Sequence, residues 1–239
     1  MSRTAGGFSW AFLVLDEHPY GRAMLQELLA GGFRPDLCIV EASAVADVER
    51  QKFLVRMQGF PLPPSFESLA QGVPVEVVPN HNDAHCGALL TEVSPELIVL
   101  GGTRILKPHV FEPARHGTLN AHPGLLPEVR GSASVAWAIE RDERVGCTCH
   151  FIEAGIDTGP IVGRREIPVH RGDTYEKLCH ATVQLSATLM REALEAFRDG
   201  TLTSTPQGPG APAHKNMPDE QVAEMKRKLA EGRYAHFVD

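Results

Sequence analysis

Apolar residues fall along this chain in two rhythms. Trp10–Leu15 (WAFLVL) is an unbroken apolar run, the mark of a strand buried on both faces. Tyr20–Ala30 switches to helical spacing, with Met24, Leu25, Leu28 and Leu29 sharing a face and Gly31-Gly32 as the stop. Leu37–Val40 is a second short run, so the chain opens β-α-β and predicts a parallel sheet. Residues 44–72 are less regular: ERQKF predicts a helix, and the PLPPS cluster a loop, because Pro61, Pro63 and Pro64 forbid regular structure. Val75–Val78 reads as a strand, 81–93 as a helix and Leu97–Leu100 as a strand ending in Gly101-Gly102. Four strands separated by helices predict a doubly wound α/β sheet.

The second half reads differently. Gly117–His122 is a short strand, Pro123–Gly131 an irregular loop, and Ser132–Arg141 a helix with Ser132 or Ser134 to cap it. Val145–Ile152 alternates as a half-buried strand, Ile161–Val169 is another strand, and Thr174–Phe197 is a long helix with Asp173 as N-cap. Residues 204–216 form an extended Pro/Gly linker, and Asp219–Leu229 a final amphipathic helix.

Composition narrows the classes. The 239 residues are 43% hydrophobic and 22% charged, enough for a packed core. The formal net charge of −7 argues against a nucleic-acid partner. No apolar run approaches the roughly 20 residues of a membrane span, and Asp16 and Glu17 end the only apolar stretch that a leader peptide would need. A cytoplasmic protein is expected. Five cysteines (Cys38, Cys86, Cys147, Cys149, Cys179) without C-x-x-C spacing read as reduced thiols, chiefly buried apolar fillers.

Several motifs fail. No G-x-G-x-x-G follows the first strand, where LDEHPYGR stands instead, and there is no Walker A sequence and no G-x-S-x-G elbow. His81 and His85 stand at i and i+4 in a presumptive helix, a spacing that suits a divalent metal, with Asp83 and Cys86 near; a metal-dependent hydrolase is one alternative and a solvated helix start is the other. No metal is expected.

Residues 117–160 carry the chemistry. Asn120 and His122, at i and i+2 on a strand, share a face, and an amide and an imidazole converging there can donate to a developing oxyanion. Asp157, in the Gly-bounded loop GIDTG, can hydrogen-bond the histidine or relay a proton. Each has a plainer reading: a turn cap, a satisfied buried histidine, an Asx-turn.

Taken together, N-x-H-P-x-L-L-P, R-G, W-A-I, G-C-T-x-H-F-I and G-I-D-T-G-P-I resemble the folate-dependent formyltransferase family, most strongly over about residues 96–165. That resemblance implies a Rossmann-like formyltransferase fold, a mostly parallel twisted sheet flanked by helices. It implies a catalytic domain over 1–203, with a linker and helical extension over 204–239. It further implies 10-formyltetrahydrofolate as donor, direct attack by a neutral amine, and Asn120, His122 and Asp157 as the catalytic trio. Arg104, Ile105 and Leu106 match a segment that holds the pterin, and Ile152, Glu153, Ala154, Gly155 and Ile156 match the loop on its other side. Leu126-Pro127 falls where relatives place a cis peptide, and His150 matches a position near the active site, or is a strand histidine with a structural partner.

Departures narrow the acceptor. The loop Asp16–Tyr20 replaces the phosphate cradle of glycinamide ribonucleotide formyltransferase with two acidic residues and a proline. Only about 40 residues follow the long helix, and methionyl-tRNA formyltransferase carries a further domain there. The expectation is N-formylation of a small amine of specialised biosynthesis (an amino sugar or a hydroxylamine), with a catalytically altered folate-binding protein as the non-enzyme alternative. Asp16–Tyr20 and segment 44–72 are expected on the acceptor side, their acidic residues attracting a cationic amine. A homodimer joined through the C-terminal helix is a further expectation.

Overall fold

A computed structural model describes residues 7–239; the first six, part of the stretch read for a leader, lie outside the described residues. In chain order the elements are β1 (Trp10–Leu15), α1 (Pro19–Ala30), β2 (Leu37–Glu41), α2 (Ala44–Arg56), α3 (Phe66–Leu69), β3 (Val75–Val78), α4 (Ala84–Val93) and β4 (Leu97–Leu100). Then come α5 (Pro108–Phe111), β5 (Thr118–His122), α6 (Ser134–Glu140), β6 (Gly146–Phe151), β7 (Ile161–Glu166), α7 (Tyr175–Arg198) and α8 (Asp219–Ala230). The strands make one sheet in the order β3-β2-β1-β4-β5-β6-β7. β1 to β5 run parallel, and β6 and β7 are antiparallel to their neighbours. The order reverses between β1 and β4, so the crevice of an open α/β sheet lies beyond their carboxyl ends.

Because strand side chains alternate, the sheet divides its apolar residues between two cores. Phe12, Val14, Leu119, Ala121, Cys147 and Cys149 face α1 and α7, with Met24, Val183 and Met190. Ala11, Leu13, Ile98 and Leu100 face α4 and α5, with Leu90 and Val110. All five cysteines are buried and free. Among the described residues no helix is long and apolar enough to cross a membrane.

Several local expectations are corrected. Thr174, not Asp173, caps α7 by accepting from Lys177 N at 3.2 Å; Asp173 accepts instead from His170 N at 2.8 Å. Neither Ser132 nor Ser134 caps α6, whose N-cap Ala133 is left-handed at φ 55°. The helix read from residue 81 begins at Ala84, because the Asp83 carboxylate accepts from Cys86 N at 2.8 Å and fixes the start there. The one-turn helices α3 and α5, too short to show a period, were not expected. The 204–216 linker is extended but docked, bridging Ile161 through Thr205 and Gly131 through His214.

α1 sits unusually close to the β4 end. A Cβ at Gly21 would lie 2.2 Å from Gly101 O and 2.3 Å from Val14 Cγ2. The preceding residue, Tyr20, is buried and donates its hydroxyl to Ala121 O on β5. Alanine in mid-helix ordinarily stabilises by about 1 kcal/mol over glycine. Gly21→Ala is expected to reverse that sign and lower the melting temperature by several degrees in a thermal-denaturation scan; an unchanged or raised melting point would contradict this packing.

Candidate functional site

Pairing of β5 with β6 builds the site. Asn120 lies opposite His150 and His122 opposite Thr148, so the four side chains share the sheet face turned away from α7, while Cys147 and Cys149 fill the other. The loop after β5 folds back over this face. Thr148 pins it, donating to Gly124 O at 2.9 Å and accepting from Leu126 N at 3.0 Å. The Leu126-Pro127 peptide is cis, as the resemblance implied.

His122 is 4% exposed and its two nitrogens are distinguishable. Nε2 lies 2.8 Å from Val129 O, a group that only accepts, so Nε2 carries the proton. Nδ1 faces Asp157 Oδ2 at 3.5 Å, longer than a direct charge-assisted hydrogen bond of roughly 2.7–2.9 Å. Asp157 Oδ2 also accepts from Gly131 N at 2.8 Å, and its Oδ1 stands 3.7 Å from His150 Nε2. Asp157 itself is left-handed at φ 52°.

Ser134 Oγ lies 3.2 Å from His122 Nε2, so Ser134, His122 and Asp157 are arranged in the sequence of a hydrolase triad. The proton positions contradict that chemistry. Ser134 donates to Gly131 O at 3.0 Å and receives from Nε2, so no base stands ready for its hydroxyl.

His150 completes the cluster. Its Nδ1 donates to Phe151 O at 2.8 Å, which leaves Nε2 to accept from Asn120 Nδ2 at 3.3 Å. Burial lowers its pKa to about 4, with His122 adding to the fall and Asp157 opposing it. The ring is therefore neutral near pH 7 and orients the Asn120 amide, whose second N–H stays free of it.

Segments 104–106 and 152–156 meet on one apolar cluster: Leu106 is buried in it and Ile152 packs against it. Ile105 and Ile156, one in each segment, are left 73% and 44% exposed. Asn82 shapes the first segment, donating to Ile105 O at 2.9 Å and accepting from Lys107 N at 2.7 Å. Glu153, Ala154 and Gly155 are exposed. Arg104 reaches elsewhere: its guanidinium pairs with the fully buried Glu41 at the end of β2, leaving only its main chain for a ligand. Burial alone would raise the Glu41 carboxyl, but hydrogen bonds from Arg104, His81 N and Ser43 outweigh it and hold it below its usual range.

One expectation fails here. His81 and His85 do not share a helix face: His81 precedes α4, is buried against Glu41 and Ile39 O, and His85 is exposed. Among the described residues no cluster of three or more potential ligands is placed to hold a metal. The acidic loop does lie against segment 44–72, but its charges are paired, Asp16 with Arg50 at 3.1 Å and Glu17 with Arg22 at 3.0 Å. Arg50 also pairs with Asp47 at 2.6 Å, so two arginines face three carboxylates and the group keeps a negative balance that the pairing reduces.

Sequence reasoning missed Gly131 N–H, Val129 O, Ser134, Glu41 and Gln207. Only the R-G dipeptide gave a signal, since Gly131 at φ 89° passes against His214 where a Cβ would lie 2.2 Å from its carbonyl oxygen.

A family model described as formyl transferase matches residues 62–194. The methionyl-tRNA formyltransferase of Thermodesulfovibrio yellowstonii is 36% identical over 120 residues, 49% of this chain and 39% of that protein. The chain thus spans well under two thirds of that relative. Glycinamide ribonucleotide transformylase 1 from Symbiobacterium toebii superposes with TM-score 0.62 at 23% identity, over 84% of this chain and 95% of that one. The formyltransferase PseJ from Anoxybacillus kamchatkensis, solved with UDP-4,6-dideoxy-4-formamido-L-AltNAc and tetrahydrofolate, superposes with TM-score 0.56 at 20% identity, over 95% of each chain.

Two buried histidines set an acid limit. His150 is pushed down to about 4 and His18, under Phe53, to about 3, chiefly by burial and then by Arg56. Both must take up protons on unfolding, from an ordinary value near 6.5. Their contribution is therefore complete above about pH 6.5 and is lost as pH falls through the folded values. Urea midpoints measured from pH 7 to 4 are expected to fall, and less steeply in His18→Asn; parallel slopes would contradict this assignment.

Proposed function

The chain belongs to the formyl transferase family, and on that footing we propose that it is an N-formyltransferase moving a formyl group from 10-formyltetrahydrofolate to a small-molecule amine. The observation that carries the reading is the convergence of Asn120, His122 and His150 on one sheet face with the Asp157 carboxylate set against both histidines. Arg104 to Leu106 and Ile152 to Ile156 would hold the folate, the first segment through its main chain and Ile105. Bound 10-formyltetrahydrofolate supplies the formyl carbon and a nitrogen leaving group.

The residues then divide the work. The amine must arrive neutral to attack. As the new C–N bond forms, the free N–H of Asn120 donates to the oxygen that gains charge, because its other donor is held by His150. His122 contributes through Nδ1 alone, Nε2 being committed to Val129 O. In the neutral ring Nδ1 carries no proton, so it takes part as an acceptor of the amine's proton, which it relays across the 3.5 Å gap to Asp157. Asp157 receives the amine's proton, directly or through water, and returns it to the departing nitrogen, so protons balance when the old C–N bond breaks.

PseJ, whose solved complex holds a formamido sugar nucleotide and tetrahydrofolate, supports a small acceptor. A net charge of −7 disfavours a polyanion. The 36% identity to a methionyl-tRNA formyltransferase favours a second reading, an aminoacyl-tRNA acceptor, which formyl incorporation into methionyl-tRNA would separate from the first.

Calorimetry with 5-formyltetrahydrofolate is expected to show micromolar binding, kept within a few-fold by Asn120→Ala and Asp157→Asn. Both variants are expected to lose about 100-fold or more in formyl transfer. No binding by the wild type, or unchanged transfer by the variants, would overturn the proposal.

A further inference from the structure

Beyond α7 the chain turns back as an extended strap across both loops of the site. Thr205 and Ile161 exchange two main-chain hydrogen bonds, each 2.8 Å. Farther on, Ala211 N reaches Pro127 O at 3.2 Å, His214 N reaches Arg130 O at 2.9 Å, and Ser132 N reaches His214 O at 2.8 Å. Between these anchors stands one amide side chain. Gln207 Nε2 donates to Asp157 O at 3.0 Å and to Gly159 O at 2.7 Å, while its Oε1 accepts from Arg130 Nη2 at 2.8 Å. Carbonyl oxygens only accept and a guanidinium only donates, so the amide's orientation is fixed from both ends.

We propose that Gln207 is a positioning residue: it locks the Asp157 loop so that the carboxylate stays against His122 Nδ1 and Gly131 N. The inference rests on the formyl-transfer reading only for what the carboxylate then does. Asp157 needs such a lock. At φ 52° it occupies a conformation that residues with side chains keep only where their surroundings over-determine it. Four residues of its loop, 153–156, are exposed and supply little packing. The two bonds from Gln207 hold the carbonyls of residues 157 and 159, which fixes the backbone on the carboxyl side of Asp157. Arg130 extends the lock, since its own loop supplies Gly131 N–H to the same carboxylate. The catalytic geometry is thereby closed by a residue 50 positions downstream, outside the stretch matched by the family model.

The test compares Gln207→Met, which keeps length but removes both donors, Gln207→Glu, which sets an acceptor against two carbonyls, and Gln207→Asn, one methylene short. Hydrogen exchange of the Gly131 amide, followed by NMR, reports on its bond to Asp157 without any substrate. Exchange is expected to quicken by about 10-fold or more in Gln207→Met and Gln207→Glu, and by less in Gln207→Asn, while amides of β1 and β4 keep their protection. With hydroxylamine as probe amine, turnover of 10-formyltetrahydrofolate is expected to fall about 10- to 100-fold, with the donor's KM within about 3-fold of wild type. Unchanged Gly131 exchange, or a KM effect with kcat intact, would overturn the assignment. If Gln207→Met does not fold, Gln207→Asn carries the same readouts. Wild-type protein that neither binds folate nor transfers formyl would overturn the functional reading instead, and the exchange result would still decide the role of Gln207.

Discussion

Val129 O accepts from His122 Nε2 at 2.8 Å, and because a carbonyl has no proton to give, this contact decides which imidazole nitrogen looks toward Asp157. With Nε2 spent, Ser134 becomes an acceptor beside the ring instead of a nucleophile, and Nδ1 becomes the one atom of His122 available for proton movement. The same logic repeats at His150, where Phe151 O takes the Nδ1 proton and turns Nε2 toward Asn120. Two backbone carbonyls thus set the tautomers of two neighbouring rings. In a buried site, where an unpaired donor is costly, such contacts are a strong constraint.

The sheet makes that arrangement possible. Parallel strands alone would carry Asn120 and His122 to a carboxyl end with nothing opposite them. The antiparallel β6 returns His150 and Thr148 into register on the same face, one to orient an amide and the other to pin the loop that bears Val129. At the end of β2, Glu41 gathers Arg104, Ser43 and His81 N into a buried charged knot at the start of segment 104–106. Removing one partner of such a knot leaves a charge stranded indoors, so the knot specifies geometry more than it adds stability.

Local rules made much of this legible. An unbroken WAFLVL can hardly be anything but a central strand, and N-x-H before a proline puts two polar groups on one face of a strand end. Tertiary pairing was not legible. Asp16 reads as an unpaired acid until Arg50 reaches it from α2. His81 and His85 look like a metal pair until Asp83 claims the helix start between them. Arg104 opens the 104–106 segment, but its guanidinium answers to a carboxylate 63 residues away. Gln207 sits in a stretch of prolines and glycines whose composition predicts extension and says nothing of what it touches.

That last residue bears on the order in which the molecule comes together. Synthesis releases the chain amino end first, and domains acquire structure as their segments emerge. β1 to β6 and residues 104–106 are all made before residue 152, so the strands that bear Asn120, His122 and His150 exist while the Asp157 loop still lacks its tether. Only after α7 has been made and the strap has crossed back does Gln207 reach Asp157 and Gly159. The loop that carries Asp157 is thus made well before the strap that holds it, and its final geometry waits on that strap.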